Sequence, residues 1–222
     1  MALKQYFCFH KTNNRANHTM LHFIKTITAA LLGIMTISCQ GKAASNTQHD
    51  MADNKGKILV AYYSYTGDCK DIADALTKAA SADAVEIQPA EEGLDYAADN
   101  YAIGSRLISA IRKAPAAAES YPAIKPVNAD LDKYDTVIIV TPLWWDNMAA
   151  PMQTYLYQNA AKLAGKNIGL IVSSYSSGIA DVVKDAHRLI PDGNFTGKPL
   201  WINQSNRSRS QSLVTDWVKT RK

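Results

Sequence analysis

Asp135-Thr-Val-Ile-Ile-Val140 is the most strand-like segment of this 222-residue chain, and it runs directly into Thr141-Pro-Leu-Trp-Trp-Asp-Asn-Met148. A continuous apolar run rich in β-branched residues is typical of a strand that is buried on both faces, as in a parallel sheet. Two adjacent tryptophans at the end of such a strand are unfavourable as solvated side chains and favour a flat partner. The segment therefore predicts a central strand that ends beside a ligand.

Strand-like and helix-like segments alternate on both sides of this strand. Strands are predicted at residues 57–63, 84–88, 135–140, 167–172 and 195–202, and helices at 68–80, 100–113, 149–164, 179–190 and 210–219. This alternation predicts an α/β domain with a doubly wound parallel sheet, and right-handed crossovers place its helices on both faces. Gly197 and Pro199 interrupt the last strand, which favours a sheet edge.

Sheets of this kind bind ligands beyond the carboxyl ends of their strands, so the loops after strands one, three and four are the candidate sites. The first loop, Ser64-Tyr-Thr-Gly-Asp-Cys-Lys70, offers two hydroxyls, a flexible glycine and the free N–H groups of a helix start. Such helix starts bind phosphate. The loop matches neither of the common glycine-rich nucleotide motifs, and by itself an ordinary capped turn explains it equally well.

The other two loops add aromatic and small polar residues. In the loop after strand three, one of Trp144 and Trp145 is expected to pack into the core, and the sequence does not distinguish which. The loop after strand four, Ser173-Ser-Tyr-Ser-Ser-Gly178, provides Tyr175 as a cover for a ring face or as part of a substrate pocket. An ordinary polar turn remains the alternative for that loop.

Taken together, the three loops resemble those of the flavodoxins. Ser64, Thr66 and Gly67 match the hydroxyl-rich phosphate loop of that family, whereas Asp68 and Cys69 replace its usual Asn and Thr. A subset of the family carries a P-(I/L)-W-W loop along the isoalloxazine ring, and the matching residues here are Pro142, Leu143, Trp144, Trp145 and Pro151, with Asp146 in place of a glycine.

The resemblance covers residues 56–221 and implies a flavodoxin-like five-stranded parallel sheet of order 2-1-3-4-5 that binds one FMN non-covalently. The FMN contacts that it implies are Ser64, Tyr65, Thr66, Gly67, Asp68, Cys69, Pro142, Leu143, Trp144, Trp145, Ser174, Tyr175 and Gly178. The Asp68 carboxylate repels a phosphate, and Lys70 is expected to offset part of that charge. The thiol of Cys69 is a weaker donor than the usual hydroxyl.

The N-terminal segment has the character of a targeting signal. Residues 1–39 contain four basic and no acidic residues, and an apolar stretch at 26–37 leads to Cys39. The stretch is too short to span a bilayer and fits a signal peptide. It resembles a bacterial lipoprotein signal, with Met20 as the true start and Cys39 as the lipid-bearing residue. Cleavage near Ala44 without lipid is the alternative.

These features imply an exported protein of the cell envelope, either anchored in the membrane by lipid or periplasmic. Residues 40–55 are polar and small and would form a flexible tether to a domain at 56–222. The 20 acidic and 20 basic residues after position 39 balance, and no basic stripe is present, so nucleic acid is not an expected partner. His49, His187 and Cys69 form no metal-ligand pattern.

Three functions stay open. The first is electron transfer through FMN to a redox partner protein, and the near-neutral domain favours a membrane or envelope partner. The second is an FMN-dependent NAD(P)H:quinone-type oxidoreductase, in which Trp144, Trp145 and Tyr175 form an apolar slot and residues 96–121 a lid or substrate wall. The third is a binding module that has lost its flavin, as Asp68 and Cys69 suggest.

Overall fold

The computed structural model describes residues 56–96 and 98–221. The predicted signal segment, the lipidation site Cys39, the alternative cleavage site near Ala44 and the tether up to residue 55 lie outside the described residues. Within the described part, no helix combines the length and the apolar character that crossing a bilayer requires.

The described elements follow the predicted alternation. The strands are β1 (Ile58–Tyr62), β2 (Asp83–Glu86), β3 (Thr136–Trp144), β4 (Asn147–Met148), β5 (Asn167–Ser173), β6 (Asn194–Phe195) and β7 (Leu200–Ile202). The helices are α1 (Asp68–Ala80), α2 (Ala98–Lys113), α3 (Ala150–Leu163), α4 (Ala180–Leu189) and α5 (Ser210–Lys219), with short 3₁₀ turns at Ala118–Ser120, Leu131–Lys133 and Arg207–Arg209.

The parallel sheet has the order β2-β1-β3-β5, and β6 and β7 both pair with β5 at the far edge. The predicted order 2-1-3-4-5 is confirmed when β5 counts as the fourth strand and the β6–β7 pair as the fifth. The prediction that Gly197 and Pro199 interrupt the last strand at 195–202 is confirmed, because the segment contains two short strands, β6 and β7. Gly197 turns the chain with a φ of +67°, and Pro199 has no N–H for the ladder, so the strand breaks into two short pieces.

Alternate strand residues point to opposite faces of the sheet, and each face carries its own core. On one face, Leu59 and Val137 pack with residues of α2, α3 and α4. On the other, Val60 and Ile138 pack with residues of α1 and α5. The prediction of helices on both faces is confirmed.

Two local features differ from the prediction. Strand β3 continues beyond residue 140 to Trp144 and forms a hairpin with β4, in which Leu143 lies opposite Met148. The first residues of α2 have left-handed backbone from Asp99 to Tyr101, with φ between 51° and 67°, so its right-handed part begins after Tyr101, later than the predicted start at residue 100.

Candidate functional site

A single crevice lies at the carboxyl ends of β1, β3 and β5. Its empty volume is about 370 Å³, including the part that opens to solvent. The lining residues are Ser64, Tyr65, Thr66, Asp68, Cys69, Pro142, Leu143, Trp144, Ser173, Ser174 and Tyr175. Ten of the thirteen predicted FMN contacts therefore line the same crevice. Ser173 also lines it and was not among the predicted contacts.

Gly67, Trp145 and Gly178 are the three predicted contacts that do not line the crevice. Gly67 instead shapes the first loop as the N-cap residue of α1, with φ 97° and ψ −25°. Only glycine adopts this conformation without strain, and it provides no side-chain acceptor to the first helical turn. The Ser64 hydroxyl accepts a hydrogen bond from the Lys70 N–H at 3.1 Å, which fixes the loop against the helix start.

Asp68 is the charged residue of this loop, and its carboxylate has two neighbours. The Thr66 hydroxyl donates to Asp68 Oδ2 at 2.9 Å, and Arg207 Nη1 lies 3.1 Å from Asp68 Oδ1. The expectation that Lys70 offsets the charge of Asp68 is wrong, because Lys70 Nζ lies 2.6 Å from Asp74 Oδ2, one helical turn further along. The hydrogen bond and the charge of Asp74 raise the pKa of Lys70.

Arg207 is a residue that the sequence analysis missed. It lies in the loop between β7 and α5, and the position of that loop after the carboxyl end of a strand is the sequence signal that points to it. The loop is well organised, since Asn203 N–H donates to Asn206 Oδ1 at 2.8 Å and Gln204 N–H donates to the Tyr175 carbonyl at 3.0 Å. It therefore connects the third loop of the crevice with the first.

Trp144 is the tryptophan that packs into the core, with 1% of its surface exposed. Its ring centroid lies 5.6 Å from Tyr63, 6.3 Å from Tyr65 and 4.8 Å from Tyr96. The Tyr65 hydroxyl donates to Asp95 Oδ1 at 2.5 Å and so holds its ring in place. Because Trp144 also lines the crevice, one wall of the crevice belongs to the rigid core.

Trp145 turns away from the crevice and lies against α2. A Cβ added to Gly104 would lie 2.8 Å from the six-membered ring of Trp145, so the two residues are in close contact. Trp145 and Asp146 are the central residues of the β3–β4 turn, with φ of 45° and 66°. Positive φ at both central positions is typical of a type I′ hairpin turn, in which a bulky residue such as tryptophan is strained.

Polar contacts from two helices hold this strained hairpin. Arg112 of α2 donates to Asn147 Oδ1 at 2.6 Å and also to the Trp145 carbonyl. Asp185 of α4 accepts hydrogen bonds from Asn147 Nδ2 at 2.9 Å and from the Met148 N–H at 3.0 Å. The turn is therefore fixed from both sides, which is how a strained conformation persists in a folded protein.

The third loop forms the open side of the crevice. The Ser174 hydroxyl donates to the Ser177 carbonyl at 2.8 Å and accepts from Trp201 Nε1 at 2.8 Å, which orders the turn. Tyr175 is 37% exposed and also lines the crevice, so it lies where the crevice meets solvent.

No metal site emerges in the part of the chain that the structure describes: residues 56–96 and 98–221 contain no group of three or more His, Cys, Asp or Glu side chains placed to hold an ion. Cys69 is buried and packs with the core residues between α1 and the sheet. The groups at the crevice are hydroxyls, a helix start, aromatic side chains and Asp68 with its partner Arg207.

Comparisons with known proteins agree with the fold. A profile of the family described as flavodoxin matches residues 57–221. A solved structure from Bacteroides eggerthii, provisionally described as a flavoprotein, is 26% identical with a TM-score of 0.60, over 75% of this chain and 98% of its own. A protein of the same description from Bacteroides uniformis is 29% identical with a TM-score of 0.58, over 74% and 98% of the two chains.

A more distant structure shares the fold. It is a flavoprotein from Lactobacillus acidophilus in complex with FMN, 21% identical with a TM-score of 0.55, over 73% of this chain and 99% of its own. Among curated proteins there is no match to the chain.

Proposed function

Because this chain belongs to the flavodoxin family, we propose that its crevice binds FMN non-covalently and that the protein transfers electrons in the cell envelope. The observation that carries the proposal is the convergence of three loops on one crevice. Hydroxyls and a helix start lie on the first loop, an apolar aromatic wall on the second, and an exposed tyrosine on the third. A flat, phosphorylated ring matches this combination of surfaces.

The residues of the first loop fit the phosphate of FMN. Ser64 and Thr66 supply hydroxyl donors, and the start of α1 supplies N–H groups that lack intrahelical acceptors. A Cβ at Gly67 would meet no atom within 4 Å, so the loop leaves open space on that side. Asp68 is the one residue of the loop that opposes an anion, and Arg207 balances its charge.

The residues of the second and third loops fit the ring. Trp144 and Leu143 are buried, and together with Pro142 they provide a fixed apolar surface. When bound, FMN supplies the one- and two-electron redox chemistry, and the protein supplies binding, orientation and the local electrostatics. The buried wall excludes water from one side, and the partly exposed Tyr175 lies where the crevice meets solvent.

The envelope location rests on the sequence. A signal that resembles that of lipoproteins precedes Cys39. Flavodoxins with soluble partners are usually strongly acidic, whereas this domain is nearly neutral, which favours a redox partner in the membrane or envelope. Mass spectrometry of the mature protein tests the anchor. We expect an N-terminal Cys39 that carries lipid mass, and an unlipidated chain that begins after Ala44 would contradict it.

Titration of the purified protein with FMN tests the cofactor. We expect saturable, one-to-one quenching of flavin fluorescence and a visible absorption spectrum that the bound ring perturbs. Replacing Thr66 by alanine should weaken FMN binding because a phosphate donor is lost. Protein that stays colourless and does not quench FMN at any concentration would instead support the flavin-free binding module.

A second function, reduction of quinone-like acceptors, is favoured by one observation. Tyr175 exposes an aromatic surface at the mouth of the crevice, which suits a small planar substrate. Steady-state assays with NADH or NADPH and a soluble quinone separate the two functions. Turnover would support the reductase. If FMN-loaded protein shows no turnover, electron transfer to a protein partner is the function that remains.

A further inference from the structure

The phosphate end of the crevice already contains a negative charge of the chain itself. Asp68 lines the crevice, accepts a hydrogen bond from Thr66 at 2.9 Å and pairs with Arg207 at 3.1 Å. A hydroxyl and a guanidinium are donors that a phosphate also prefers. The carboxylate of Asp68 therefore occupies donors that an incoming phosphate would use.

The ion pair between Asp68 and Arg207 is built into the fold rather than formed at the surface. The two side chains are 22% and 32% exposed, and the pair joins the start of α1 to the loop before α5. Most other ion pairs in the described part of the chain link residues three or four positions apart on the surface of a helix or turn. Asp68 lines the crevice and Arg207 contacts it from behind that lining, so the pair lies where it can affect the binding of an anion.

The loop that carries Arg207 is held in place by its own hydrogen bonds. Asn206 Nδ2 donates to the Trp201 carbonyl at 3.2 Å, and Arg207 N–H donates to the Asn203 carbonyl at 2.9 Å. The guanidinium is thus presented on an ordered turn. Its fork of N–H groups suits a phosphate as well as a carboxylate, because both anions accept the same bidentate geometry.

We propose that Arg207 and Asp68 determine the specificity of the crevice for a phosphorylated flavin over the unphosphorylated one. Arg207 is the cation that the FMN phosphate takes over, and Asp68 is the internal anion with which the phosphate competes. The inference rests on the proposed FMN site, and it adds a residue pair that sets the ratio of FMN to riboflavin affinity.

The experiment compares FMN and riboflavin binding by fluorescence titration in the full-length protein and its variants. In Arg207→Gln, we expect FMN affinity to fall about tenfold, the scale of one charge-assisted contact, while riboflavin affinity stays the same. In Asp68→Asn, we expect FMN affinity to rise severalfold with riboflavin unchanged, because a competing charge is removed. Arg209→Gln is the matched control, since Arg209 is exposed on the same turn, and it should behave as the wild type.

The salt dependence of binding provides a second readout. FMN affinity should fall with added salt in the wild type and less steeply in Arg207→Gln, because a charge pair with the phosphate is screened by salt. If Arg207→Gln fails to fold, Arg207→Lys keeps the charge without the fork and should still lower the FMN-to-riboflavin ratio. Asp68→Asn tests the competition without any change at Arg207.

The outcomes separate this inference from the proposed function. Equal losses of FMN and riboflavin in Arg207→Gln, or an unchanged affinity ratio in both Arg207→Gln and Asp68→Asn, would mean that the pair only connects two loops. Wild-type protein that binds neither flavin would overturn the FMN site itself and the specificity pair with it.

Discussion

The carboxylate of Asp185 accepts a hydrogen bond from the backbone N–H of Met148 at 3.0 Å, which joins α4 to the hairpin that carries both tryptophans. Asp185 is only 7% exposed, and its other oxygen pairs with Arg188 at 3.1 Å. Arg188 in turn donates to Gln153 Oε1 at 2.7 Å. One wall of the crevice is thus positioned by a largely buried polar network.

Replacing Asp185 by alanine should lower the free energy of unfolding by about 3 kcal/mol, because it leaves the buried Met148 N–H without its acceptor and removes the carboxylate that pairs with the half-buried Arg188. Urea denaturation measures the change. Asp181→Ala is the matched control on the same helix, since Asp181 pairs with Lys184 at the surface, and it should unfold as the wild type does. Similar losses in the two variants would show that the buried network stabilises the fold no more than the surface ion pair of Asp181 does.

Gly104→Ala should destabilise the protein although alanine is the better helix former. The new Cβ would lie 2.8 Å from the Trp145 ring, so α2 or the strained hairpin must move. Against a propensity gain of about 1 kcal/mol, we expect a net loss of about 1 kcal/mol in the free energy of unfolding. Gly178→Ala is the control, because its Cβ meets nothing within 4 Å. A stabilised Gly104→Ala protein would contradict the close contact.

Tyr175 should contribute to FMN binding through its ring rather than its hydroxyl, because it lines the mouth of the crevice with over a third of its surface exposed. We expect Tyr175→Ala to lower FMN affinity roughly tenfold and Tyr175→Phe to leave it nearly unchanged. Fluorescence titration of both variants measures this. A loss in Tyr175→Phe as large as in Tyr175→Ala would point to the hydroxyl instead.

The fold was largely predictable because its signals are local. The apolar run at 135–140 and the helical spacing of apolar residues give the central strand and the bounds of α1 and α5 directly. The crevice followed from a general rule about the carboxyl ends of parallel strands, which places ten of the thirteen named residues without knowledge of any side-chain contact.

The features that escaped prediction depend on residues distant in the chain. The Trp145–Asp146 turn lacks glycine, and it forms because Arg112 and Asp185 hold it from two helices. Arg207 reaches Asp68 from the last loop of the domain, so no local pattern connects them. The pairing of Lys70 with Asp74 is different, since a spacing of four residues on a helix predicts that contact, and the sequence contained the signal.

The buried tyrosines should make the protein lose stability in alkali. Burial raises the pKa of both Tyr96 and Tyr155 to about 12, whereas an unfolded tyrosine has a pKa near 10. The folded state then keeps protons that the unfolded state releases, so stability is fully present below about pH 10 and falls as the pH rises from 10 towards 12. Urea denaturation at a series of pH values measures this fall.

Tyr155→Phe isolates one of these groups. The Tyr155 hydroxyl has no hydrogen-bond partner within the described residues, so its removal should change stability near neutral pH by less than about 1 kcal/mol. Between pH 10 and 12 the free energy of unfolding should fall less steeply with pH in the variant than in the wild type. The two slopes should differ by up to about 1.4 kcal/mol per pH unit, which corresponds to one proton. Parallel curves for the two proteins would mean that Tyr155 ionises as readily in the folded chain as in the unfolded one.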